Sequence, residues 1–375
     1  MLEKTRNEYQ PDTVSPPGET LQETLLALGM SQAQLAERMG RPKKTISELV
    51  NGKIALTTDT ALQLERVLGV PARFWNNRER LYRESLARNS EQARLEAEIG
   101  WLGKFPVKAM IKLGWIPAFK DKVGQLRSVL GFFGVASPAQ WETTWRGLPE
   151  VSFRKTQAFQ SDAGALSAWL RQGEILAQEI RASPFDPASF RAALHKVRTL
   201  TIQPPEVFQP QIVSLCASAG VAVVFVPELP QSRVSGATRW LAPGKALIQL
   251  SLRYKTDDHL WFTFFHEAGH ILLHGKREVF LEGIGDTDGQ EAEANRFAAD
   301  FLIPAQRLEQ LIAGNKSRGV ARFSKETIRS FAAELGIAPG IVVGRLQHER
   351  LLPRSHCNEL KNRLAWALQQ DPNQG

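Results

Sequence analysis

The stretch WFTFFHEAGHILLHG, residues 261–275, is the most informative in the chain. Its apolar residues, Trp261, Phe262, Phe264, Phe265, Ile271, Leu272 and Leu273, surround a polar pentad, HEAGH. One long helix is expected from near Asp257 to Gly275. On a helix, His266 and His270 are four residues apart, so they project from one face and can bind one metal ion. Glu267 lies beside them, near enough to take the proton of an attacking water. Zinc suits neutral imidazole nitrogens and keeps one position open for that water, whose pKa it lowers to about 7. This is the zinc-peptidase arrangement. A glycine at 269 costs helix propensity, and packing against the metal or a strand is the expected reason for it.

A third protein ligand is needed. Twenty-one residues after His270 comes Glu291, in the helical segment EAEANRFAAD. Glu291 and Asn295 share a face at i and i+4. Glu291 is the expected ligand, and Asn295 is expected to orient one histidine. Glu293 falls roughly on the other side and is the alternative ligand. His274 continues the face of His266 and His270 as an outer residue. His195, His259, His348 and His356 read as ordinary histidines. An oxyanion also needs a donor, and Arg253 and Tyr254, near a strand edge, are the candidates.

Upstream of the pentad the texture is β. VAVVFVPEL (221–229) reads as a buried strand, and SGATRWLA with ALIQLSLRY, separated by Pro243-Gly244, as a hairpin. Downstream, SKETIRSFAAELGIAPGIVVGRLQHERLL (324–352) reads as two helices broken at Gly336 and Pro339. Residues 91–200 are aromatic-rich and helical, without recognisable chemistry, and their tryptophans are expected in the core.

The N-terminal region is different again. Residues 1–17 are polar and Pro-containing and read as a loose arm. In SQAQLAERMGRPKKTISELVNGK (31–53), a helix over 31–38 and one over 42–50 are joined by a turn at Gly40. Ser31 is the expected N-cap, and Pro42 takes a first-turn position. Leu35, Ala36, Ile46 and Leu49 are spaced to pack the pair together, which makes a helix-turn-helix. Its second helix would enter the DNA major groove with Lys43, Lys44, Thr45 and Ser47 toward the bases. Gln32, Asn51 and Lys53 are placed to hold phosphates. From Arg41 to Lys53 there are four basic residues and one acid.

Composition sets the outer bounds. A chain of 375 residues, 43% apolar and 23% charged, is too long for one ordinary domain and is neither disordered, collagen-like nor a coiled-coil rod. The net charge of +8 is spread evenly, +2 over residues 1–90, +3 over 91–230 and +3 over 231–375. No apolar window approaches a membrane span, so no membrane partner is expected. The charged N-terminus lacks a secretory h-region. Cys216 and Cys357 cannot build a disulfide scaffold, which suits a reducing, cytoplasmic compartment.

Residues of about 16–83, including PPGETL, the helix pair and ALQLERVLGVPARFW, resemble the XRE-type helix-turn-helix of HigA-like antitoxins. Separately, FTFFHEAGHILLH with EAEANRFAADFLIP resembles the ImmA/IrrE metallopeptidases over about 234–304. That resemblance implies zinc on His266, His270 and Glu291, with Glu267 as general base, and repressor proteins as substrates. The expected architecture is mainly α with a small β-sheet. It places an arm at 1–17, an all-α helix-turn-helix domain at 18–90 and a helical middle at 91–200. An α+β zincin-like metallopeptidase follows at 201–315, then a helical, helix-turn-helix-like tail at 316–375. The expected function is a homodimeric, operator-binding transcriptional regulator with a zinc endopeptidase that cleaves a repressor or antitoxin-type protein. The alternative is a non-catalytic antitoxin and repressor whose zinc domain is a sensor or binding platform.

Overall fold

The computed structural model describes residues 15–146, 163–232, 234–251, 253–274, 280–281, 289–317 and 320–364. They divide into two compact units, Met1–Ile99 and Gly100–Gly375. Among the described residues, no single helix is long and apolar enough to cross a membrane.

The first unit is all-α: α1 (Pro17–Ala27), α2 (Gln32–Met39), α3 (Lys43–Val50), α4 (Thr58–Leu68) and α5 (Ala72–Glu98). Local chemistry sets the helix ends. Ser31 and Gln34 form a reciprocal capping box at the start of α2. Gly40, at φ 62°, ends that helix in the left-handed conformation glycine tolerates best. Leu35, Ala36, Ile46 and Leu49 are buried in one core with Leu21, Leu64 and Trp75.

Three details depart from the sequence reading. First, α1 begins at Pro17, inside the expected arm, and both Pro17 and Gly18 are buried. A Cβ on Gly18 would lie 2.1 Å from the carbonyl oxygen of Val50, so only glycine lets α1 approach the end of α3. The rest of that arm, residues 1–14, lies outside the described residues. Second, Pro42 is the N-cap of α3 rather than a first-turn residue. Third, α5 runs through the boundary expected at residue 90 as far as Glu98. Pairs at i and i+4, Arg80 with Glu84, Glu84 with Arg88 and Gln92 with Glu96, line its solvent side.

The second unit opens with α6 (Val107–Lys112), α7 (Lys122–Phe133), α8 (Pro138–Trp141), α9 (Ala163–Glu179), α10 (Pro187–Thr199) and α11 (Pro205–Ala217). A sheet follows, built from β1 (Val221–Phe225), β2 (Gly236–Ala242), β3 (Lys245–Leu250) and β4 (Phe280–Leu281), in the order β1-β3-β2-β4. β1 runs parallel to β3, and β2 pairs antiparallel with both β3 and β4. The chain then forms α12 (Asp257–Leu273), α13 (Gly289–Leu302), α14 (Ala305–Gly314), α15 (Lys325–Leu335) and α16 (Pro339–His348), with a short ribbon, β5 (Lys316–Ser317) and β6 (Val320–Ala321), after α14.

The sheet is covered on both faces, which is why its strands read as continuous apolar runs. On one face, Val221, Val223, Ile248 and Leu250 share a core with Leu260, Phe264 and Ala268 of α12. On the other face, Gln249 Nε2 donates to the carbonyl of Trp169, and Arg239 Nη2 to that of Leu170, both on α9. The helical middle therefore supplies the sheet's second cover. Of its tryptophans, Trp101, Trp141, Trp145 and Trp169 are buried, as core residues should be, and Trp115 is half-buried.

The core around α12 also takes in Phe190 and Leu194 of α10 and Ile341, Val342 and Leu346 of α16. Packing thus continues across the boundaries expected at 200 and 315. The tail's helix pair bends by 112° at Gly336–Pro339, but its second helix belongs to this core rather than to a free surface. Gly340 and Gly344 let α16 sit against the start of α12: added Cβ atoms would fall 2.3 Å from Asp257 Oδ1 and 2.8 Å from Asp258 Oδ2.

Candidate functional site

α12 is held on its apolar face by Leu260, Trp261, Phe264, Phe265, Ala268 and Ile271, all in the core. Its polar pentad is buried as well: His266 and His270 are each 1% exposed and Glu267 is 0% exposed. What covers them is α13. A Cβ on Gly269 would lie 3.2 Å from both Ala294 Cα and Phe297 Cδ1. The glycine therefore faces a second helix, not a metal or a strand as the sequence suggested. Two small residues, Gly269 and Ala294, bring the backbones close, and Glu291, one turn before Ala294, reaches the histidines.

The ligating atoms converge. His266 Nε2 and His270 Nε2 are 3.0 Å apart. Each is 3.3 Å from an oxygen of Glu291, His266 from Oε2 and His270 from Oε1. The ligand atoms of His266, His270 and Glu291 all lie within 4.8 Å of one another. Ligands about 2.0–2.1 Å from a common tetrahedral ion are about 3.3 Å apart, so these separations fit zinc. Behind His266, Asn295 Oδ1 lies 3.0 Å from Nδ1, where it accepts that proton and leaves Nε2 its lone pair. Behind His270, Nδ1 lies 2.9 Å from Nδ1 of His274. Two lone pairs facing each other beside a carboxylate are a donor set for a cation. Glu293, the alternative ligand, is turned away, with its Oε2 3.3 Å from His274 Nε2.

Protonation suits the same role. Burial lowers the pKa of His270, which favours the neutral, ligating imidazole. Burial by itself would raise Glu291, but the two imidazoles beside it outweigh that and bring the carboxyl down to about 2. Glu267 is positioned from the sheet. Thr238 Oγ1 donates to its carbonyl oxygen at 3.2 Å. Gly236 makes room for its carboxylate, since a Cβ there would fall 2.7 Å from Oε1. Nothing in the sequence pattern singled out Gly236, because the contact joins a strand to a helix far along the chain. Of the oxyanion candidates, Tyr254 stacks on His259 with ring centroids 4.3 Å apart, and Arg253 lies over Tyr254. His259 precedes His266 by about 10 Å of helix rise. His195 packs against Phe301.

In the first unit, Lys43 and Lys44 stand exposed at the start of α3. The side chain of Lys44 is 85% exposed, 3.9 Å from Glu48. Thr45 and Ser47 are half-buried, and Lys53 is exposed. Asn51 Nδ2 donates to the carbonyl of Ser47 at 2.7 Å. Two residues are committed inside the unit: Gln32 Nε2 donates to Gln22 of α1 at 2.9 Å, and Arg41 Nε donates to Gln63 of α4 at 2.7 Å.

The family described as helix-turn-helix matches residues 21–75, and that described as the IrrE N-terminal-like domain matches residues 216–346. The chain belongs to the helix-turn-helix family and carries an IrrE N-terminal-like domain. The IrrE N-terminal-like match runs from the end of α11 into α16, so it includes part of the helical tail. An uncharacterized HTH-type transcriptional regulator of Escherichia coli, YddM, is 38% identical over 61 residues, 16% of this chain and 65% of that protein. The chain thus spans just under two thirds of that relative's length. Virulence-associated protein I of Dichelobacter nodosus is 35% identical over 78 residues, 20% of this chain and 72% of that protein. The solved structure of an addiction module antidote protein of the HigA family from Coxiella burnetii is 31% identical. It covers 23% of this chain and 94% of its own, with a TM-score of 0.21.

Proposed function

We propose that this helix-turn-helix protein is a cytoplasmic, operator-binding transcriptional regulator whose IrrE N-terminal-like domain is a zinc-dependent endopeptidase. Its substrate is a repressor or antitoxin-type protein, and it acts as a homodimer. The observation that carries the reading is the convergence of His266, His270 and Glu291 on one point beside the buried Glu267. His266, His270 and Glu291 would hold the metal. Zinc, when bound, supplies Lewis acidity that polarises the scissile carbonyl. Glu267 takes the proton of the attacking water and returns it to the leaving amine. From β2, Thr238 holds the Glu267 main-chain carbonyl and Gly236 leaves room for the carboxylate. Asn295 keeps the His266 proton on Nδ1. In the first unit, Lys43 and Lys44 lead α3 into the major groove, and Thr45 and Ser47 follow them along the same helix.

Metal analysis with a Glu267→Gln variant tests the reading. Glutamine cannot accept the proton, so cleavage should fall by about 10²–10⁴-fold while zinc stays bound. A chain that takes no zinc, or a variant that cuts its true substrate at the parent rate, would sink it. The same variant should trap the substrate uncut in a pull-down.

A further inference from the structure

His274 sits next to the donor set without belonging to it. It is the residue that ends α12, its side chain is 3% exposed, and its ring centroid lies 5.0 Å from that of His270. Its two ring nitrogens face different partners: Nδ1 faces His270 Nδ1 at 2.9 Å, and Nε2 faces Glu293 Oε2 at 3.3 Å.

Proton accounting gives this chain a direction. A histidine that ligates through Nε2 carries its proton on Nδ1. His270 Nδ1–H therefore donates to His274 Nδ1. His274 can accept there only as the neutral ring protonated on Nε2. That Nε2–H in turn donates to the Glu293 carboxylate. Reversing the chain would put a proton on His270 Nε2, aimed at His266 Nε2 3.0 Å away, and would remove the lone pair.

We propose that His274 is a positioning residue for the metal, holding His270 in its Nε2-ligating tautomer, and that Glu293 fixes the tautomer of His274 in turn. This rests on the metal-site reading above. The two ligating histidines are then supported differently, His266 by the Asn295 amide and His270 by an imidazole backed by a carboxylate. Partners of this kind set ligand orientation and basicity, and losing one typically costs 10–100-fold in metal affinity.

The test measures zinc affinity by chelator competition on the full chain, in the parent, His274→Ala and His274→Asn. Alanine removes the acceptor and should weaken zinc by about 10–100-fold. Asparagine offers Oδ1 about where His274 holds Nδ1, as Asn295 does for His266, and should stay within about threefold of the parent. Glu293 is exposed, so Glu293→Gln should cost less than His274→Ala. ¹⁵N-labelled histidine reads the tautomers directly in the metal-free parent: His270 should carry its proton on Nδ1 and His274 on Nε2. A His274 protonated on Nδ1 overturns the proposal without any variant. A parent that binds zinc together with an equally tight His274→Ala overturns it while leaving the metal site standing. A parent that binds no zinc overturns both.

Discussion

Lys43 and Lys44 stand at the exposed start of a short helix, whereas His266 and His270 stand in the middle of a buried one. The first pair needs only its own helix and a neighbour a few residues away to be presented. The second pair is useful only because α13 and β2 arrive from elsewhere and bring Glu291, Asn295 and Gly236 with them. A surface that meets a partner can be written locally. A buried donor set has to be assembled, and it fails when any one of its approaches fails.

The largest expected effect follows from that contrast. Gly269→Leu would drive a side chain into Ala294 and Phe297 of α13. Zinc affinity should fall by more than about 100-fold, with an overpacking cost of about 1–3 kcal/mol. Operator binding should survive, because the first unit has its own core. Zinc titration and gel shift on the same sample check this, and retained zinc affinity would break the comparison. Lys43→Ala with Lys44→Ala should do the reverse. Operator affinity should drop about tenfold, the log–log salt slope should become shallower by about 2, and zinc should be unaffected. An unchanged gel shift would remove α3 from the groove.

pH separates the two regions further. Because burial lowers the His270 pKa, its imidazole stays neutral at pH 7 and protonates only as pH falls through that lowered value. Glu291, brought down to about 2, remains anionic throughout. Zinc affinity should therefore change little between about pH 8 and 7 and weaken below about pH 6.5, while lysine-driven operator contacts hold. Zinc release centred above pH 7 would contradict this assignment.

The smallest effect concerns stability. Burial raises Asp257 to about 6, so the charged form is disfavoured in the folded state. Stability is then lost as pH rises from the unfolded value near 4 through about 6, and the penalty persists above that. Asp257→Asn should gain on the order of 1–2 kcal/mol at pH 8 and nothing below about pH 4. Melting temperature against pH reads this, and an equal gain at both ends would dissociate it from ionisation.

Much of this was legible beforehand. The pentad's spacing, the hairpin, the caps of α2 and the core pairing of Leu35 with Ile46 all depend on neighbours within a turn or a strand, and the structure keeps them. Asn295 was expected to orient one histidine, and its Oδ1 lies 3.0 Å from His266. What the sequence left unread has a tertiary cause. Gly18, Gly236 and Gly269 are each required by a backbone or side chain distant in sequence, so local pattern gave the first two no such role and suggested a metal or strand contact for the third. The helical middle looked like a separate body because helical periodicity does not say which surface a helix covers.

By itself, then, the sequence determined which side chains could ligate, which could carry charge to a phosphate and which segments would be helix or strand, because period and residue chemistry are local properties. Tertiary structure alone decided that Glu291, which the sequence already favoured over Glu293, reaches both histidines, and that α9 and α16 complete the domain around them. The reason is close packing. Two helices approach only where Gly269 and Ala294 leave room, and that distance brings the carboxylate to 3.3 Å from each imidazole.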